Sequence, residues 1–291
     1  MKTVSIIGCG KVGKTLGRLW TERRVLGVRA VLNRSSASTM EAVEFIRSGY
    51  AVTGYAELPR TDMILIAASD DAIEVCCQRL CGSSALGPGV IVFHCSGSLP
   101  STILEPAQAR GALIASIHPV KSFADPARAV EAFRGTFCAV EGDPEACREL
   151  REVMARCGAV PFTIRPDQKL VYHAATVFVC NYLVALLEIG LRCFDQSGVK
   201  RDQAMRIMEP IVRETVENAL RLGPVDALTG PIARGDQSVI SRQHKALAAW
   251  NPEIAAAYRS LGRVALDLAA AQARAMPEAL AAIQSLLKES P

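Results

Sequence analysis

The first 13 residues restrict most what this chain can fold into. Thr3-Val4-Ser5-Ile6-Ile7 is an apolar run that passes directly into Gly8-Cys9-Gly10-Lys11-Val12-Gly13. The run before Gly8 predicts a buried strand, and Lys11 to Leu19 predicts a helix that opens on the glycines. In that context the G-x-G-x-x-G spacing predicts a strand–turn–helix unit whose helix N-terminus receives a pyrophosphate. Gly8 turns the chain out of the strand, Gly10 lets the backbone approach the phosphates, and Gly13 lets the helix lie close to the sheet. Cys9 sits inside the turn, where it either faces the dinucleotide or packs beneath it.

A second apolar run, Val28 to Leu32, ends at Asn33-Arg34-Ser35. A site for NAD places Asp or Glu at the end of this strand, where it accepts hydrogen bonds from the ribose 2′-OH. Here an amide, a guanidinium and a hydroxyl stand instead, which would accept a 2′-phosphate that a carboxylate repels. The cofactor prediction is therefore NADP, held by Gly8 to Gly13, by Asn33, Arg34 and Ser35, and by Ser69 and Asp70 beyond the third predicted strand.

The chain has 291 residues, half of them hydrophobic, with a net charge of +4. That is enough to build a sizeable core in two domains. No Lys/Arg run interleaved with aromatics occurs, which argues against nucleic acid. No apolar stretch is expected to reach the roughly 20 residues of a membrane span. A strand begins within three residues of Met1, leaving no room for a signal peptide. These readings predict a soluble, cytoplasmic protein with a small-molecule substrate. The ten cysteines read as free buried thiols rather than disulfides or a metal site.

Residues 1–164 alternate short apolar runs with helix-length segments, which predicts a mostly parallel α/β sheet. Strands are expected at 3–8, 28–32, 63–67, 90–94, 113–117, 136–140 and 161–164. Asp70-Asp71 and Asp143 are read as N-caps of the helices that follow them. From residue 165 to 291 the pattern turns Ala/Leu-rich with a period of 3.6. It predicts helices at about 167–197, 201–222, 236–249 and 252–287. The expected fold is thus a Rossmann-type dinucleotide-binding domain (1–164) followed by an all-helical substrate and dimerisation domain (165–291).

Several segments carry a family resemblance. They are His94-Cys95-Ser96-Gly97-Ser98, Ser116-Ile117-His118-Pro119, Phe137 to Asp143, Tyr172-His173-Ala174-Ala175, Asn181-Tyr182-Leu183 and Leu228 to Asp236. Together with the glycine turn, they make the chain resemble the Rossmann-like and DUF2520 domain-containing proteins. That group belongs to the 6-phosphogluconate/β-hydroxyacid dehydrogenase-like superfamily. The resemblance implies NADP binding, redox chemistry and a homodimer paired through the helical domain.

Ligands in open α/β sheets lie beyond the carboxyl ends of the strands, so residues just after strands are the site candidates. Ser96, Gly97 and Ser98 form a small polar turn whose N–H groups would suit a substrate carboxylate or phosphate. Relatives in the superfamily use a Ser/Gly loop there for substrate. His118, before Pro119, is either a proton-exchanging group or a histidine fixed by a rigid, cis or trans, prolyl turn. His94 is expected to pack at its strand end, and His244 to lie on the surface.

At about 100° per residue, Lys169, His173, Thr176 and Cys180 share one helix stripe, with Asn181 at its border. Lys169 also stands in a first helical turn, where the helix dipole disfavours a cation. Something must hold it there, such as an anionic ligand. Many β-hydroxyacid dehydrogenase relatives place a catalytic Lys and an Asn four residues later on this helix. Here His173 takes the asparagine's place. The expected catalytic set is His118, Lys169 and His173, with Ser96, Gly97, Ser98 and Asn181 orienting the substrate. Arg234 is expected to reach an anionic substrate or a neighbouring subunit, and Asp236 to cap a helix. No metal is expected.

The reading is an NADP(H)-dependent oxidoreductase for a small carbonyl, imine or hydroxy-acid substrate. Two alternatives stand beside it. One is a non-catalytic NADP-binding sensor or regulatory protein, and the other a prephenate-like dehydrogenase suggested by His118-Pro119.

Overall fold

The computed structural model describes residues 1–288. It divides into two compact units, Met1–Asn181 and Tyr182–Pro291. The first contains an eight-stranded sheet: β1 (Thr3–Ile7), β2 (Gly27–Leu32), β3 (Tyr50–Val52), β4 (Met63–Ile66), β5 (Ile91–His94), β6 (Leu113–Pro119), β7 (Phe137–Gly142) and β8 (Val160–Thr163). Their spatial order is β3-β2-β1-β4-β5-β6-β7-β8. All pairs are parallel except β6 with β7.

The central strands are short runs of Val, Ile and Leu because both faces are covered, as parallel sheets require. Alternate side chains go to opposite faces. Val4, Ile6, Met63, Leu65 and Phe93 enter one core with Leu16, Trp20 and Leu150. Ile7, Ile64, Ile66 and Val92 enter a second core with Ile73, Leu80 and Leu104. The helices of this unit that cover the sheet include α1 (Lys11–Glu22), α2 (Ser36–Ile46), α3 (Asp70–Cys81), α4 (Glu105–Gln108), α5 (Pro126–Glu131) and α6 (Pro144–Arg156).

Strand β3 was not expected. It has three residues, and Tyr50 and Ala51 are exposed, so it shows neither a period nor an apolar run. The first unit also runs past the predicted boundary at residue 164. It takes in α7 (Lys169–Val179), which a buried ion pair described below ties to the sheet.

The second unit holds α8 (Asn181–Gln196), α9 (Arg201–Leu222), α10 (Pro224–Ala227), α11 (Pro231–Arg234), α12 (Gln237–Trp250), α13 (Pro252–Gln272) and α14 (Pro277–Lys288). The predicted 252–287 helix is broken where Ala273 adopts the left-handed conformation (φ 54) ahead of Pro277. Ile240, Leu266, Ile283 and Leu287 form a small core among the last helices. By contrast, α8 buries only Leu191 and α9 only Ala204, while Val184, Met205, Ile211 and Leu220 stand exposed.

The expectation that no apolar stretch approaches membrane-span length is corrected. The helical stretch Pro166–Gln196 contains an 18-residue window of mean hydropathy 1.9, only 6% of it buried. No Asp, Glu, Lys or Arg interrupts Leu170 to Leu187. His173, Thr176 and Asn181 interrupt the run, yet the window mean stays at 1.9. Length and composition alone therefore permit a span.

Candidate active site

The glycine turn lies at the carboxyl end of β1. Gly8 has φ +76, and a Cβ there would stand 2.7 Å from the Ala68 backbone nitrogen. Only glycine satisfies both conditions. A Cβ on Gly13 would press on Cys9 Sγ at 3.2 Å and Ala67 at 3.3 Å, so this glycine seats α1 against the sheet. Gly10 is different: a Cβ there would meet nothing within 4 Å. Gly10 is also the N-cap of α1, offers no side-chain cap, and no acidic residue stands in the first turn. The N-terminal amides of α1 thus have no protein carboxylate or hydroxyl as cap, and the space before them is clear. That combination fits a pyrophosphate. Of the two readings for Cys9, packing beneath the turn is what the structure shows. The residue is buried, and burial pushes its thiol up to about 12.

The half-buried Asn33 spends its side-chain amide on the protein rather than leaving it free for a phosphate. Its Oδ1 accepts from the Cys9 backbone N–H at 2.6 Å, and its Nδ2 donates to the Ser38 carbonyl at 2.9 Å. It locks the glycine turn to the end of β2. Ser35 caps α2, accepting from the Ser38 N–H. Arg34 remains exposed beside them, so the cationic contribution to a 2′-phosphate site rests on this residue.

The Ser96-Gly97-Ser98 turn follows β5. Its expected role as an anion cradle meets an obstacle, because among the N–H groups at 96–99 only Gly97 N is left without an acceptor among the described residues. Ser96 N donates to His94 Nδ1 at 3.1 Å, and Ser98 N and Leu99 N donate to Ser96 Oγ at 3.2 and 3.0 Å. The two hydroxyls donate to Asp70 Oδ2, at 2.9 Å from Ser96 and 2.6 Å from Ser98. Asp70 is therefore not the N-cap expected of it. Ser69, exposed, occupies that position without a side-chain cap, and Asp70 starts the helix while gripping the serine turn.

Gly97 lies against two histidines. A Cβ on it would stand 2.2 Å from His173 Cδ2 and 2.8 Å from His118 Nε2. The two imidazoles pack edge to face with centroids 5.6 Å apart. His118 Nδ1 shares a 2.9 Å hydrogen bond with Tyr172 Oη. His118 and Pro119 lie within β6, opposite Ala139 and Cys138 of β7, rather than in a prolyl turn, because the antiparallel pairing continues through both. Burial, with His173 and then Lys169 adding to it, lowers the His118 pKa to about 4. The ring is neutral at ordinary pH.

Lys169 does not join those histidines as a free ammonium. It is 1% exposed and pairs at 2.9 Å with Glu141, itself 2% exposed. Its Nζ also donates to Ser116 Oγ. Glu141 further accepts from Ser101 N and Ser101 Oγ at 2.8 and 2.7 Å. Burial lowers the lysine's pKa while Glu141 opposes the shift. The anion that holds a cation in this first helical turn is thus Glu141, and not a ligand. Asn181 and Cys180 are exposed at the far end of α7, and none of the cluster's hydrogen bonds reaches Asn181.

With the geometry in place, comparison gives the family. One family model, the Rossmann-like domain, matches residues 1–119, and a second, DUF2520, a domain of unknown function, matches residues 136–265. The chain is a Rossmann-like and DUF2520 domain-containing protein. A Bacteroides fragilis protein provisionally named as an NADP oxidoreductase shares the fold, with TM-score 0.73 and 20% identity over 91% of this chain and 97% of its own. A Thermotoga maritima protein gives TM-score 0.73 and 22% identity over 92% and 99%. The Plasmodium falciparum pyrroline carboxylate reductase, solved with NADP bound, gives 0.57 and 12% over 97% and 98%. No curated protein matches.

In this DUF2520 chain the residues that sequence reasoning missed are Glu141, Ser116, Ser101 and Tyr172. Glu141 had a signal: it is the one carboxylate in the Phe137–Gly142 strand, and Lys169 required an anion. Of the remaining candidates, Asp143 stands at the N-cap of α6 but turns its carboxylate to Ile114 N at 2.7 Å. Asp236 likewise gives no cap bond and pairs with Arg234 at 2.8 Å. His244, expected on the surface, is half-buried beside Arg259 at 2.9 Å. His94 is buried at its strand end as expected, bonded to the Pro100 carbonyl at 3.2 Å.

The buried histidines make the DUF2520 protein acid-labile. Burial lowers His94 to about 3 and His118 to about 4, against an ordinary 6.5. Between those values the unfolded chain binds more protons than the folded one, so stability rises with pH in that window. The contribution is complete above about pH 6.5 and is lost as pH falls towards 4, on the order of 3 kcal/mol per histidine. The Tm should fall steadily across this window and fall less steeply in His118→Asn. A flat profile would contradict the burial of a neutral pair.

Proposed function

We propose that the protein is an NADP(H)-dependent oxidoreductase acting on a small carbonyl, imine or hydroxy-acid substrate. The observation that carries this is the alignment of two half-sites along one sheet edge. The open glycine turn stands at the carboxyl end of β1, and the Gly97–His118–His173 cluster stands at the ends of β5 and β6. Open α/β sheets bind ligands along that edge. The related folds include one solved with NADP bound, which supports the same choice.

When bound, NADP(H) supplies or accepts a hydride. The rest falls to the chain. The N-terminal amides of α1 would hold the pyrophosphate, and Arg34 would pair with the 2′-phosphate. With Tyr172 Oη donating to His118 Nδ1, Nε2 would carry the exchangeable proton and could donate a hydrogen bond to a developing oxyanion or amide-like nitrogen. Tyr172 and His173 fix the plane of that ring. Lys169, neutralised by Glu141, is a positioning residue that seats α7 and so sets His173.

Screening NADPH oxidation against small imines, ketones and keto acids tests the reading. Failure of every substrate in a protein that binds NADPH would favour the sensor alternative. Removing the cation with Arg34→Ala should weaken NADPH by about tenfold or more, the value of one charge-assisted contact. The same substitution should leave NADH unchanged in paired titrations.

We further propose that a second copy of the chain covers the exposed apolar side chains of α8 and α9. Leu220, 84% exposed, together with Val184 and Ile211, is more apolar surface than two helices ordinarily present to water. Light scattering on the purified protein should give twice the chain mass, and a monomer free of detergent would overturn the pairing.

A further inference from the structure

We propose that the 96–98 turn with Asp70 is a recognition site for a protonated amine or iminium nitrogen, and that it does not take a carboxylate. This deepens the oxidoreductase reading by naming the substrate class, and it rests on that reading.

The inference follows from where the donors go. An anion site needs free N–H groups or an unpaired cation. At this turn Ser96 N, Ser98 N and Leu99 N are each bonded to a neighbouring acceptor within the segment. Both hydroxyl protons are directed at one oxygen of Asp70. Of the four N–H groups at 96–99, only Gly97 N is left without an acceptor among the described residues, and Ser96 Oγ is saturated by Ser98 N and Leu99 N. The acceptors that remain are Ser98 Oγ and the second carboxylate oxygen of Asp70, Oδ1, which has no hydrogen-bond partner among the described residues.

Charge points the same way. The residues that build this site are Asp70, the 94–101 segment, Ser116 to Pro119, Glu141 and Lys169 to His173. Among them Lys169 is the only ammonium or guanidinium, and it is buried in its pair with Glu141. His118 is held neutral. The Asp70 carboxylate therefore stands without a counter-ion, and its field reaches His118 across the turn. A substrate carboxylate placed here would meet a like charge, with Gly97 N as the one amide of the turn open to it. A protonated nitrogen would meet the Asp70 carboxylate, with its free Oδ1, and the Ser98 oxygen beside it.

The turn also ties recognition to the proton-handling group. Ser96 and Ser98 hold Asp70 on one side, while Gly97 between them touches His118 Nε2 and His173 on the other. A single turn thus separates the Asp70 carboxylate from His118, close enough for its charge to act on that ring.

The test is calorimetric and needs no turnover. Cyclopentylamine and cyclopentanecarboxylate, near isosteres of opposite charge, are titrated into the full-length protein saturated with NADP. The amine should bind at least about tenfold more tightly, as one charge-assisted contact provides. Asp70→Asn, at an exposed position, should level the two affinities. Three results would overturn the assignment: carboxylate binding equal to or tighter than amine binding, an amine preference that survives Asp70→Asn, or no binding of either probe to the NADP-loaded protein. If NADP itself fails to bind, the oxidoreductase reading fails, and the same two titrations on the free protein still decide the charge preference.

Discussion

Gly10→Ala should lower NADPH affinity by at least about 100-fold without changing the Tm. The two effects separate because of where the added methyl points. It meets no protein atom within 4 Å, and φ at this residue is −79, which alanine adopts freely. The fold therefore has nothing to lose. The methyl projects instead into the clear space before the α1 amides, where a pyrophosphate must come to backbone distance. Losing two charge-assisted contacts at about 1.5 kcal/mol each gives roughly 100-fold. Gly8→Ala would not serve, because φ +76 and the Ala68 backbone at 2.7 Å would disturb the fold itself. Calorimetric titration with NADPH, paired with thermal unfolding, checks the result. A variant that binds NADPH as the wild type does would show that the turn is only a structural corner.

The largest stability effect should come from Glu141→Ala. This change leaves the Lys169 ammonium buried without its anion, and leaves Ser101 N and Ser101 Oγ without their acceptor. Breaking a buried pair from one side costs about 3–5 kcal/mol. The double replacement Glu141→Leu with Lys169→Met removes the charge problem and keeps the volume, so it should recover most of that loss. Denaturant unfolding of the single and double variants gives the comparison. If the single variant lost less than about 1 kcal/mol, the pair would be too well hydrated to hold α7 on the sheet. Positioning of His173 would then need another cause.

Much of the fold was legible in the sequence because its signals are local. The glycine spacing, the Val/Ile runs of β1, β2 and β4 and the 3.6 period after residue 165 each depend only on near neighbours. Strand β3 escaped because an exposed three-residue edge carries neither a period nor an apolar run. The site was legible in part. Ser96, Gly97, His118 and His173 do come together around one turn, but their roles depend on partners far along the chain. Asp70 looked like a cap and instead grips serines 26 and 28 residues away. Lys169 looked like a catalytic or ligand-bound cation, and its anion is 28 residues distant, on strand β7. Asn33 looked like a phosphate ligand, but its amide completes the glycine turn. Residue type and spacing find such groups; only the pairing shows which of them remain free to act.

The central claim is that this sheet edge holds NADP(H), with Arg34 choosing it over NAD(H). Titrating the wild-type protein with NADPH and NADH in parallel tests it most directly. The account predicts saturable binding of both, with NADPH tighter by about tenfold or more. Binding of neither, or NADH bound as tightly as NADPH, would contradict it.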